Sequence, residues 1–200
     1  LHIKVLSPGN NHHMAEAMSE KAVSEGKKAY IHVKLDTGMS RLGFQIHEDS
    51  VDAIEEISKM PGLKLEGMFT HFAKADETDK AYTDVQIGKY NYMRDELKKR
   101  GVSFPIYHCS NSAGIIDIKK ANMDLVRAGI SIYGLYPSEE VEKKNVPLRP
   151  AMELISHVIR AGKQVILLIP EISLTWQTVM RFEERFEEEL QKAKDSLSKK

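Results

Sequence analysis

One cysteine, Cys109, and one tryptophan stand in 200 residues. A lone thiol excludes an internal disulfide framework and any Cys-based zinc cluster, and no metal site is expected. An excess of one charge is missing too. The 29 Lys and Arg residues balance 29 Asp and Glu, so no broad basic field exists to draw in nucleic acid. No window reaches the ~18 apolar residues of a membrane span. The opening residues Leu1-His2-Ile3-Lys4-Val5-Leu6 lack the charged leader and apolar run of a secretion signal. These absences predict a cytoplasmic protein that binds neither membrane nor nucleic acid. What is present, 42% hydrophobic and 29% charged residues, is the make-up of a folded chain with roughly one domain per ~150 residues.

Short apolar runs alternate with longer amphipathic ones, which is a βα pattern. Strands are expected at His2 to Leu6, Tyr30 to Asp36, Leu65 to Phe72, Ile106 to His108, Leu125 to Arg127 and Ser131 to Leu135. Helices are expected at His12 to Glu25, Asp49 to Lys59, Thr83 to Arg100 and Ala113 to Lys119. The second helix carries Val51, Ile54 and Ile57 on one face, with Asp49 or Ser50 as N-cap and Pro61-Gly62 as its stop. The third ends in Lys98, Lys99, Arg100 and Gly101, suited to a helix C-terminus.

Within Tyr30 to Asp36, Ile31, Val33 and Leu35 alternate with Tyr30, His32, Lys34 and Asp36. Apolar residues on one face and polar ones on the other fit a barrel strand with helices outside and a functional C-terminal end. The following turn, Thr37 to Phe44, brings Arg41 beside Lys34. Two such cations either reach out to solvent or hold something anionic between them.

The run Lys34 to Phe44, KLDTGMSRLGF, resembles the signature of bacterial alanine racemases. The likeness continues through Glu66 to Asp76, His108 to Ala113, Val126 to Pro137 and Pro147 to Met152, five motifs in family order over about residues 1–159. The resemblance implies α/β architecture: a partial or rebuilt (β/α)8 TIM-type barrel with parallel strands, its site at the C-terminal mouth. It implies pyridoxal 5′-phosphate (PLP) as cofactor, L- and D-alanine as the interconverted substrates, and a homodimer. Carried over by motif, Arg127 would face the pyridine nitrogen, and Ser112 with the backbone N–H groups of Gly129 and Ile130 would hold the phosphate. Lys34 would be the carbamylated lysine, Arg41 would face the substrate carboxylate, and His71 and His108 would stand behind the groups touching the ring.

The family's Schiff-base lysine motif and its catalytic tyrosine find no match in these 200 residues, so weak or absent PLP binding and little turnover are expected. From Ala161 the run Gly162 to Thr175, with Gln177 and Arg181-Phe182, resembles a segment of primosomal replication-restart helicases, over about residues 161–187. No phosphate loop accompanies it. The expected division is therefore 1–160, racemase-like, and 161–200, an appended strand and amphipathic helix. That tail would close or extend the barrel with Val165, Leu167, Ile169, Phe182, Phe186 and Leu190, or else persist as a helicase remnant. A structural chimaera without ligand and a nucleic-acid-dependent ATPase fragment are the alternative readings.

Overall fold

The computed structural model describes residues 4–6 and 11–152. All but Met152 lie in the first of two units into which the chain divides, Leu1–Ala151. Its elements run β1 (Lys4–Leu6), α1 (Asn11–Ser24), β2 (Ala29–Lys34), α2 (Glu48–Ser58), β3 (Leu63–Phe69), α3 (Ala81–Lys99), β4 (Ile106–His108) and α4 (Ser112–Asp117). Three short 3-10 turns follow, at Lys119–Ala121, Ile130–Tyr133 and Lys143–Asn145. The strands are all parallel and lie in sequence order, β1-β2-β3-β4. This is the singly wound order of a barrel, and the sheet of described strands is a partial barrel that does not close.

Each helix has a reason to sit where it does. In α2 the buried residues Val51, Ile54 and Ile57 recur every three positions, a stripe that packs inward. The N-cap is His47, whose Nδ1 accepts from the Asp49 N–H at 3.3 Å. Asp49 and Ser50, expected as caps, instead lie inside the first turn, where the acidic Glu48 and Asp49 meet the positive end of the helix dipole. On α3 the buried face is Thr83, Gln86, Tyr90, Met93 and Leu97. Its Tyr90 hydroxyl donates to Met68 O at 2.7 Å, tying the helix to β3.

Strand β2 is covered on both sides. Ile31, Val33 and Leu35 are fully buried, and so, within a few per cent, are His32, Lys34 and Asp36 on the alternate positions. Burying three apolar side chains contributes on the order of 1.5 to 3 kcal/mol each, which offsets the cost of enclosing the polar ones.

Two expected strands are absent. Leu125 to Arg127 forms no ladder. The Tyr107 N–H on β4 donates to the Asp124 carboxylate at 2.8 Å, so a side chain takes the donor a fifth strand would use. The segment is pinned beside β4 by Asp124 N to Tyr107 O and Arg127 N to Ser110 O, both 3.0 Å. Ser131 to Leu135 is largely the 3-10 turn Ile130–Tyr133, ended by Gly134 in the left-handed region at φ 76°. The strand and amphipathic helix expected over 161–200, with the helicase-like segment, lie outside the described residues.

Candidate functional site

The loop after β2 is built on the Asp36 carboxylate. Its Oδ1 accepts from the N–H groups of Gly38 and Ser40, and its Oδ2 from that of Arg41, each at 3.0 Å. Burial pushes this carboxyl up, but the N–H groups of Gly38, Ser40, Arg41 and Met39 outweigh burial and hold it below its ordinary value. The turn then returns tightly. At Gly43 φ is 138°, and a Cβ there would collide with the backbone of Leu35 and Asp36, so only glycine closes it. Phe44 N donates to Lys34 O at 2.8 Å, and Asp36 N to Phe44 O at 2.9 Å. Arg41 is thereby held over the end of β2.

Lys34, the last residue of β2, buries all but a few per cent of its surface. Its Nζ donates to Leu42 O and stands 6.0 Å from the centre of the Phe69 ring. Burial lowers its pKa; Asp36 opposes that, while Arg41 and Arg127 add to it. The expected pairing of Lys34 with Arg41 is therefore a cluster of three cations, with Arg127 the third.

Arg127 is fixed by acceptors at the ends of two strands. Its Nη2 donates to Thr70 O at 2.8 Å and Cys109 O at 3.1 Å, and its Nη1 meets His108 Nδ1 at 2.6 Å. The guanidinium lies 5.1 Å from the Phe69 ring centre, and the His108 ring stacks on the same phenyl ring at 4.7 Å. His108 is pushed down to about 3 by burial, with Arg127 and His32 adding to it. His71, on the loop after β3, is pushed down to about 4 by burial and by Arg127, Arg41 and Lys34. Both imidazoles are neutral at pH 7.

The loop bearing His71 is held from α3. Gln86 Nε2 donates to His71 O at 3.3 Å and to Thr37 Oγ1 at 3.1 Å, while its Oε1 accepts from the Ala73 N–H at 2.9 Å. Thr37 and Thr70 share a 2.8 Å hydroxyl contact, and Thr70 Oγ1 donates to Leu35 O at 3.1 Å. One fully buried amide thus joins the loops after β2 and β3. Gln86 was not among the expected site residues, for on a helix it reads as one more polar surface position.

Ser112, at the start of α4, gathers donors. Its Oγ accepts from Gly129 N at 3.0 Å, Ser131 N at 3.3 Å and Ser131 Oγ at 3.1 Å. Gly129 and Ser131, on either side of Ile130, thus both turn their N–H groups to Ser112. Lys34, Arg41, His71, His108 and Ser112 sit at or shortly after the C-terminal ends of β2, β3 and β4, and the Arg127 side chain reaches the same end through Thr70 O and Cys109 O, which is the mouth of a barrel of this order. Among the described residues no group of three His, Cys, Asp or Glu could hold a metal ion, and no helix is long and apolar enough to cross a membrane.

Residues 9–137 match the family model described as "Alanine racemase, N-terminal domain". The chain belongs to this family. It is 43% identical over 149 residues to the alanine racemase of Clostridium tetani, covering 74% of this chain and 38% of that protein. To the enzyme of Methanococcus maripaludis it is 45% identical over 148 residues, 72% of this chain and 40% of the relative. Among solved structures, alanine racemase from Clostridium difficile 630 superposes with a TM-score of 0.71 at 47% identity, over 74% of this chain and 40% of that one. The chain spans about two fifths of the length of these relatives.

Proposed function

We propose that this chain carries the cofactor-anchoring part of an alanine racemase site, holding PLP across the ends of β2, β3 and β4. The observation that carries the reading is Arg127. Its guanidinium has only donors, three protein acceptors fix its plane, and it lies where the strand ends meet. A pyridine nitrogen presented to it has to accept, and so stays unprotonated. The donor set fits the rest of the cofactor: the Ser131 hydroxyl and the N–H groups of Gly129 and Ser131 all lie within 3.3 Å of the Ser112 hydroxyl, the chemistry that holds a phosphate. In this reading Ile130, next in the chain, adds its N–H when phosphate is present.

When bound, PLP supplies the electron sink that weakens the Cα–H bond of an amino acid. The protein's own groups do the rest. Arg127 keeps its proton and limits how far that sink draws charge. Arg41, held over β2 by Asp36, pairs with the amino acid's carboxylate. Lys34 in carbamylated form turns one of three crowded cations into an anion and so relieves the repulsion among them. His71, neutral, adds no charge to this cluster of cations. Within these 200 residues the reading is binding without turnover, since positioned proton transfer supplies about 10²- to 10⁴-fold of rate and neither family acid/base group is matched.

In the sequence, the apolar spacing from Val179 to Leu197 continues past the end of the helicase-like stretch near Glu187, and 161–200 is assigned no action on nucleic acid. The test of the site is titration of the full chain with PLP and with pyridoxal, followed by absorbance and protein fluorescence. The reading expects saturable binding of PLP, weaker binding of pyridoxal and loss of the difference in Ser112→Ala. Equal binding of the two by the unaltered chain would overturn it. Alanine α-proton exchange in D2O no faster than with free PLP is the expected companion result.

A further inference from the structure

Behind Arg127 runs a line of side chains that the reading above leaves unused. His108 Nε2 lies 2.8 Å from His32 Nδ1, and His32 Nε2 lies 3.4 Å from Glu66 Oε2. His32 Nε2 and Glu66 Oε2 are both buried and neither makes a hydrogen bond among the described residues, so the 3.4 Å contact is a close approach of ring to carboxylate and not a formed hydrogen bond. The two histidines are nearly sealed from solvent, at 3% and 4% exposure, and the Glu66 side chain is 18% exposed.

The backbone is shaped to allow this line. Ile31 pairs with Leu65 but His32 with Gly67, so Glu66 is an extra residue in β3, a bulge that re-aims its side chain. Gly67 is equally specific: a Cβ there would collide with the His32 ring. With no side chain at 67, the ring crosses β3 to reach His108 on β4.

The protons along the line follow from one fixed end. Arg127 Nη1 can only donate, so His108 Nδ1 accepts at 2.6 Å. The one proton of neutral His108 is then on Nε2 and points at His32. Nδ1 of His32 must accept it, which leaves the His32 proton on Nε2, the nitrogen 3.4 Å from the Glu66 carboxylate. Each donor–acceptor sense is set by its neighbour, from the guanidinium at one end to the anion at the other. Because Arg127 does not release its proton at the far end, the line cannot conduct one. It orients.

We infer that His32 and Glu66 are positioning residues which, acting through His108 across Gly67, fix the acceptor nitrogen presented to Arg127 and with it the plane of the guanidinium. The inference rests on the proposal that this guanidinium faces the cofactor ring, yet its direct test needs no cofactor. In the full chain labelled with ¹⁵N-histidine, long-range ¹H–¹⁵N correlation at pH 7 reads the protonated nitrogen of each ring, with assignments from His32→Asn and His108→Asn. Both His32 and His108 are expected neutral with the proton on Nε2. A proton on Nδ1 of His108, or a doubly protonated ring at either position, would overturn the inference.

Substitutions separate positioning from mere packing. His32→Leu removes the acceptor and Gly67→Ala displaces the ring, so each should shift the His108 nitrogens. His32→Asn, whose carbonyl can stand near the Nδ1 position, should restore them. In PLP titrations His32→Leu should weaken binding roughly 10-fold, the order of effect of one lost hydrogen bond, with His32→Asn recovering most of it. Should His32→Leu fail to fold, Glu66→Gln, at the partly exposed end, should still shift the His32 nitrogens. Unchanged His108 shifts in a cooperatively melting His32→Leu, or unchanged His32 shifts in Glu66→Gln, would contradict the inference. Intact tautomers without any PLP binding would contradict the functional reading alone.

Discussion

Asp36 accepts three hydrogen bonds from the backbone of its own loop, and its loss leaves those donors without their acceptor. Leaving a buried donor unsatisfied costs about 1 to 3 kcal/mol. Asp36→Ala is therefore expected to destabilise the chain by about that much in urea unfolding, and to weaken amino-acid binding as Arg41 loses its fixed position. A midpoint equal to that of the unaltered chain would contradict this account of the loop. The two depressed histidines set a pH dependence. Unfolded, they take up protons near pH 6.5; folded, only near 4 for His71 and about 3 for His108. Between those limits the unfolded chain binds more protons, so stability falls as pH drops from about 6.5 toward 3. Asp36, held low in the fold, adds a loss in the same direction as it protonates. Urea midpoints from pH 7 to 4 should decline, and His71→Asn should decline less steeply.

Elements place these residues by packing, and their stability can be probed away from the site. Leu97 and Met93 on α3 are fully buried, so Leu97→Ala is expected to cost about 2 to 5 kcal/mol, read as a lowered melting temperature. Losing Gln86 should differ in kind. Gln86→Leu keeps the helix face apolar but frees the loops after β2 and β3, so ligand affinity should fall more than stability does. Much of this level could be read from the sequence. The alternation Ile31, Val33, Leu35 against His32, Lys34, Asp36 marked β2, and the threefold spacing of Val51, Ile54 and Ile57 marked α2, because burial imposes both periods. The β3 bulge was hidden, since one extra residue at Glu66 barely disturbs a seven-residue run. The signal that could have shown it is Gly67, a glycine inside a strand. Leu125 to Arg127 misled because its apolar residues resemble a strand, whereas the Asp124 carboxylate had already taken the N–H of Tyr107.

For the whole molecule, parallel strands in sequence order put every C-terminal strand end on one side, which is why motifs spread from Lys34 to Arg127 meet in one place. That convergence was legible from the order of motifs. The line from Arg127 to Glu66 was not, because His32 and His108 are 76 residues apart and neither alone differs from a core histidine. The central claim is that this mouth holds PLP by its ring nitrogen and its phosphate. A crystal structure of the full chain grown with PLP tests it most directly. The account predicts the pyridine nitrogen against Arg127 and the phosphate among Ser112, Gly129, Ile130 and Ser131. PLP attached only to surface lysines, with Arg127 and Ser112 untouched, would contradict it.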